Sequence, residues 1–227
     1  LDVTDRPRVL TNVADRTRSL LAAGASSCRV LRVTLEGDDR VTDEVASVIA
    51  EAARPELVVM ACAPDPEPDH VYPDLMDAFR QLGHDVIEVD RRADRGGLIT
   101  SRRLRAAIET GDVAAASDMI GRPYTIRGVV QHGQQLGRTI GFPTANIEPP
   151  TDRVIPAIGV YAGEVTLDDG SVVAAAINIG VRPTVDNTGV LRLEAHLLDF
   201  DRDLYDSTIT ISLVVRIRGE HRFESLD

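Results

Sequence analysis

Two short stretches gather residue types suited to phosphate or metal chemistry. In QHGQQLGRTIGFPTAN, residues 131–146, Gly133, Gly137 and Gly141 let the backbone approach a ligand closely and turn its N–H groups inward, as an anion-binding nest requires. Arg138 is placed to meet a phosphate oxygen, and Pro143 fixes the entry into Thr144-Ala145-Asn146. There, residues i and i+2 can present a hydroxyl and an amide carbonyl to one point, hard oxygen donors of the kind Mg²⁺ takes beside phosphate oxygens and water. Glycine spacing alone does not separate such a device from a glycine-rich hairpin loop followed by an Asn turn. In LRLEAHLLDF, residues 191–200, alternation puts Leu191, Leu193, Ala195 and Leu197 on a core face and Arg192, Glu194, His196 and Leu198 on the other. A glutamate and a histidine two apart on one strand face point either into a cleft or into water, since antiparallel sheets commonly keep one face wet. In a barrel closed around a ligand, Glu194 is a candidate general base. INIGVRPT, residues 177–184, reads by itself as an ordinary strand exit.

The totals narrow what these residues can serve. A net charge of −11 argues against a nucleic-acid partner held by phosphate neutralisation. All 25 basic residues are arginine, so any bound phosphate is held by backbone N–H groups, arginine or a metal, and a P-loop lysine is excluded. Apolar residues at 43% and charged residues at 27% fit a globular chain. No apolar run approaches the roughly 18 residues that span a bilayer. No signal-peptide pattern opens the chain, so the expectation is a cytoplasmic protein without a membrane partner. Cys28 and Cys62 have no CxxC spacing and read as buried free thiols. The acidic PDPEPDH at 64–70 reads as a solvated loop, and the start at Leu1 reads as a trimmed end. Nothing in the sequence fixes an oligomeric state.

The elements that must position these residues fall into two halves. Helical spacing predicts helices over 12–23, 42–53 (with a Thr42 cap), 73–83, 101–110 and 112–120. Between them, 29–35, 56–62 and 84–90 read as strands, the second as a buried one. Alternating strands and helices imply a parallel sheet covered on its faces. From Tyr124 the period changes to two: 124–131, 158–167, 171–179, 191–198 and 208–217 read as strands, with DDG as a hairpin turn. In the last strand Ile209, Ile211, Leu213, Val215 and Ile217 are expected to face one way. The pattern predicts an α/β domain over 1–120 and a small all-β barrel or sandwich over 121–227, divided near Gly121.

Taken in order, GRPYTIRGVVQHGQQLGRTIGFPTANI, GVYAGEV, INIGVRPT, LEAHLLDF and RGEHRFESLD resemble the riboflavin kinase family. The likeness is to the kinase module of bacterial bifunctional riboflavin kinase/FMN adenylyltransferases. It implies a six-stranded Greek-key split barrel that transfers the γ-phosphoryl of ATP to the riboflavin 5′-hydroxyl, giving FMN. The resemblance assigns Thr144 and Asn146 to Mg²⁺ and the nucleotide phosphates, and makes 133–142, with Gly133, Gly137, Arg138, Gly141 and Phe142, a flap over ATP beside Pro143. Glu194 becomes the base, while Asn178, Arg218, Phe223 and Ser225 fall on the flavin side. Two positions depart from the family's pattern: Asp206 stands where a glycine is usual and Gly219 where a proline is. The first half resembles, more weakly, the rear part of a Rossmann-type adenylyltransferase module. There Thr100, Ser101 and Arg103 match a stretch that binds ATP phosphates at a helix N-terminus. An HxGH-type motif is not in the sequence, and MACAPDPEPDH replaces the flavin-side motif. The resemblance therefore implies a kinase with a partial or degenerate adenylyltransferase half. The alternatives are a bifunctional enzyme, if a further N-terminal segment exists, and a non-catalytic flavin sensor.

Overall fold

The computed structural model describes residues 8–31, 41–61, 72–132, 144–182 and 190–219. Gly133 to Pro143, the acidic 64–70 stretch, Cys62, Phe223 and Ser225 lie outside the described residues. The chain divides into two compact units, one of residues 13–99 and one that joins the first dozen residues to 100–227.

The first unit carries helices α1 (Val13–Ala22), α2 (Val41–Ala53) and α3 (Tyr72–Gln81), and strands β1 (Leu57–Ala61) and β2 (Asp85–Val89). A two-residue hairpin, β3 (Ala93–Asp94) and β4 (Gly97–Leu98), completes it. Strands β1 and β2 pair in parallel. Ala46 of α2 and Ala78 and Phe79 of α3 form a core against Val58, Met60 and Val86, on one face of this pair. The opposite face, with Leu57, Val59, Ile87 and Val89, is exposed. This corrects the expectation of a buried first strand: two strands with helices on a single side can bury only one phase of each. The expected strand at 29–35 is also not found where it is described. Arg29, Val30 and Leu31 carry no regular secondary structure, and Arg29 donates to the carbonyl of Ala52 at 2.7 Å. Cys28 is free and half-buried, not buried, beside the Thr17 hydroxyl at 3.7 Å.

The second unit contains α4 (Ser101–Thr110), α5 (Val113–Ile120) and six strands: β5 (Tyr124–Gln131), β6 (Ala145–Ile147), β7 (Gly159–Thr166), β8 (Val172–Arg182), β9 (Val190–Leu197) and β10 (Thr208–Arg218). The two helices pack with the barrel, α5 against β10 and β5. The compact unit thus begins before Gly121, where the sequence period changes. Gly111 closes α4 at φ 85°, donating to the carbonyls of Ala107 and Ile108. The strands form a closed antiparallel barrel in the order β10-β5-β6-β9-β8-β7. Its interior is filled by the inward phase of each strand, including Ile126, Ile147, Tyr161, Ile177, Ile179, Leu193, Ile209 and Ile211, all fully buried. At roughly 1.5–3 kcal/mol per large apolar side chain, this filling holds the sheet shut.

Strand β10 departs from the expected alternation. Ile209, Ile211 and Leu213 point inward, but Val215 and Ile217 are exposed. The register with β7 shifts between Leu213 and Val215 and again between Arg216 and Arg218. A bulge inserts one residue and reverses the phase of everything after it. Arg216 then bonds the carbonyls of Thr110 (3.3 Å) and Ile158 (2.7 Å).

A second arginine ties the barrel's lower strands to the chain's first residues. Arg153, 1% exposed, donates through Nε to the Tyr124 hydroxyl at 3.3 Å and through Nη2 to the carbonyl of Thr125. Its guanidinium also lies 5.3 Å from the Tyr124 ring centroid. Tyr124 in turn donates to the carbonyl of Val154 at 2.7 Å, and Val9 bridges to Arg153.

Candidate functional site

The sixth strand is the one that periodicity missed. Residues 145–147 are too few to show alternation, yet they bridge β5 and β9 and carry part of the PTAN stretch. Ala145 and Ile147 are buried inward, so Asn146 faces outward and is half-buried. Its amide nitrogen lies 3.3 Å from the Thr144 carbonyl oxygen and 3.5 Å from the Thr144 hydroxyl. Thr144, just before β6, and Asn146 within it thus have their side chains within reach of each other.

Register gathers the other candidates around that spot. Asn146 is paired with Glu194 on β9, and Glu194 is paired with Asn178 on β8. Directly opposed residues of antiparallel strands have Cβ atoms roughly 4.5–5.5 Å apart on one face. Glu194 consequently stands between two asparagines. The row continues to Val160 on β7 and then to Arg218 on β10, and in the other direction to Gln131 on β5. Leu193 and Ala195 are buried inside, so Arg192, Glu194 and His196 line the outer wall, each half-buried. Glu194 therefore stands half-buried on the outer face of the barrel, not in its interior.

Asn178, read from sequence as a strand exit, is placed beside Glu194, and no local signal could have shown this. Arg218 is exposed, donating to the carbonyl of its neighbour Gly219 at 3.2 Å. Across the ladder from Arg192 on β8 stands Gly180, and from His196, Ala176. Small residues at both positions leave room beside the long side chains of β9. Thr100 caps α4, its hydroxyl accepting from the backbone N–H of Arg103 at 3.2 Å. Ser101 is the first residue of that helix and is exposed.

A threonine hydroxyl and an asparagine side chain form a donor set that fits Mg²⁺. Turning the Asn146 amide by half a rotation exchanges Nδ2 for Oδ1 and presents two oxygens together. Among the described residues no group of three or more His, Cys, Asp or Glu side chains offers a separate metal site.

Residues 120–227 match the family described as "Flavokinase: Riboflavin kinase". The bifunctional riboflavin kinase/FMN adenylyltransferase of Escherichia coli K12 is 42% identical over 154 residues, 67% of this chain and 48% of the relative. The protein of that name from Pseudomonas fluorescens is 43% identical over 143 residues, 63% of this chain and 45% of the relative. That from Bacillus subtilis is 36% identical over 140 residues, 61% and 44% respectively. The chain spans about half the length of the curated relatives it matches. A crystal structure of a macrolide-efflux protein from Streptococcus pneumoniae superposes with a TM-score of 0.77 at 29% identity, over 96% of this chain and 70% of that one. In the present protein no helix among the described residues is long and apolar enough to cross a membrane.

Proposed function

We propose, from the premise that residues 120–227 are a riboflavin kinase domain, that this chain phosphorylates riboflavin at its 5′-hydroxyl, converting ATP and riboflavin to ADP and FMN. The observation that carries this reading is the row Asn146–Glu194–Asn178 on the outer wall, with Thr144 beside it. In the transfer, the 5′-oxygen bonds to the γ-phosphorus as the bond to the β,γ-bridging oxygen breaks. Glu194 takes the hydroxyl proton. Asn146 and Asn178 flank Glu194 across the ladder, and the buried side chains of the inner face back the wall that carries it. Mg²⁺, when bound, neutralises charge on the phosphate oxygens, and Thr144 and Asn146 are the residues to hold it. Phosphoryl transfer needs chiefly positioning and charge stabilisation, so a metal, a donor-rich loop and one carboxylate suffice.

The test is chromatography of flavins after incubation with riboflavin, ATP and Mg²⁺. FMN is the expected product, and absence of FMN refutes the kinase reading. Glu194→Gln should lower kcat by about 10²–10⁴ while riboflavin binding changes little. Normal turnover in that variant would remove Glu194 as the base.

A further inference from the structure

We propose that Arg192 is a phosphate contact of this site, gripping the phosphoryl group once it resides on the flavin; the proposal rests on the kinase reading above. Three observations place it. The alternation of β9 puts Arg192 on the same outward face as Glu194, two residues away, a separation of roughly 7 Å along the strand. Its partner across the ladder is Gly180, which has no side chain to occupy the space over β8, the strand that also carries Asn178. Its Nε, closed off from solvent, finds no hydrogen-bond acceptor among the described residues.

A buried donor without a partner is an expense that a fold seldom keeps without use. A guanidinium is also the side chain whose planar fork of donors matches phosphate oxygens. The row itself lacks such a group near its centre. Asn146 and Asn178 are neutral, Glu194 is an acid, and Arg218 lies beyond Val160. Once Glu194 has passed its proton on to solvent, its carboxylate and the phosphate now on the flavin are two negative groups side by side in a chain of net charge −11. Arg192 is placed to offset that repulsion. Riboflavin has no phosphate, so Arg192 should matter for FMN and hardly at all for riboflavin.

Binding of the two flavins separates this role from others. Fluorescence titrations of the unaltered protein, Arg192→Gln and Arg192→Lys are run with riboflavin and with FMN. Arg192→Gln should weaken FMN binding about 10- to 100-fold, the worth of a charge-assisted hydrogen bond. Riboflavin affinity should stay within about threefold, with Arg192→Lys intermediate for FMN. Because the lost donor is unpartnered, the thermal midpoint of Arg192→Gln without ligand should not fall. An equal loss for both flavins, or no loss for either, overturns the phosphate role while leaving the kinase reading intact. A lowered midpoint without ligand would mean that the side chain is structural, and also overturns it. Failure of the unaltered protein to bind either flavin overturns the kinase reading and this proposal together.

Discussion

Gly163 sits where β7 and β10 approach most tightly, and a single added methyl group there should open the barrel. A Cβ on Gly163 would stand 2.6 Å from Cδ1 of Ile177, where ordinary contact begins at 3.4 Å, a shortfall of 0.8 Å. It would come closer still to the carbonyl oxygen of Ser212. Ile177 can yield by rotating, but Ser212 cannot. Its residue is paired with Thr125 of β5 and with Glu164 of β7, so moving its carbonyl disturbs two ladders. Overpacking against side chains typically costs 1–3 kcal/mol, and a backbone obstacle puts Gly163→Ala at the upper end, about 3 kcal/mol. For a chain of this size roughly 2–4 °C is lost per kcal/mol, which predicts a thermal midpoint lowered by about 6–12 °C. The assay is thermal unfolding followed by circular dichroism, with Gly219→Ala as the control. Among the described residues a Cβ on Gly219 meets nothing within 4 Å, so that variant should melt within about 2 °C of the unaltered protein. If Gly163→Ala also melts within that margin, the β7–β10 register described above is wrong.

Asp206, in the place where a glycine is usual, has φ 61°, and its N–H is bonded to the carbonyl of Val130 at 3.0 Å. Asp206→Gly should raise stability by up to about 1 kcal/mol in urea titration, because glycine enters this left-handed region without steric cost; a loss of stability would show that the carboxylate, 3.8 Å from Nε2 of the stacked His132, matters more than the backbone. Thr144→Val should raise the Mg²⁺ concentration for half-maximal phosphorylation about tenfold with an unchanged far-ultraviolet spectrum, the loss of one direct ligand; an unchanged Mg²⁺ dependence removes Thr144 from the metal site. Hydrogen bonds from the Ser171 hydroxyl and backbone, helped by Arg202, hold the Asp169 carboxyl down at about 2 from an ordinary 3.8. A depressed carboxyl favours the folded state above its unfolded value, and that contribution disappears as pH falls from about 4 to about 2. A carboxyl titration followed by NMR should find the low midpoint in the unaltered protein and one moved part of the way back up once Ser171→Ala and Arg202→Gln are combined, because the backbone N–H at 171 still donates to Asp169.

The sequence by itself determined the helices α1 to α5, the strands of the barrel other than β6, and the residue types able to handle a phosphate. Local periodicity carries that information, because burial of one face is written every second or every fourth residue. The reading of Leu193, Ala195 and Leu197 as core followed from alternation alone and is what the barrel shows. Alternation failed at Val215 and Ile217, because a bulge is a property of two paired strands, not of one. It also failed at β1, where Leu57 and Val59 are as apolar as any core strand yet exposed, since burial depends on what stands opposite. Above all, only the tertiary structure decided that Asn146, Glu194 and Asn178 are neighbours. They come from three different strands, and the register that lines them up is fixed by the packing of Ile147, Leu193 and Ile179 on the inner face. A slip of one residue would turn Glu194 into the core and leave Asn146 facing an alanine. The chemistry of the site was legible as residue types; its location on the outer wall was set by how the barrel fills its own interior.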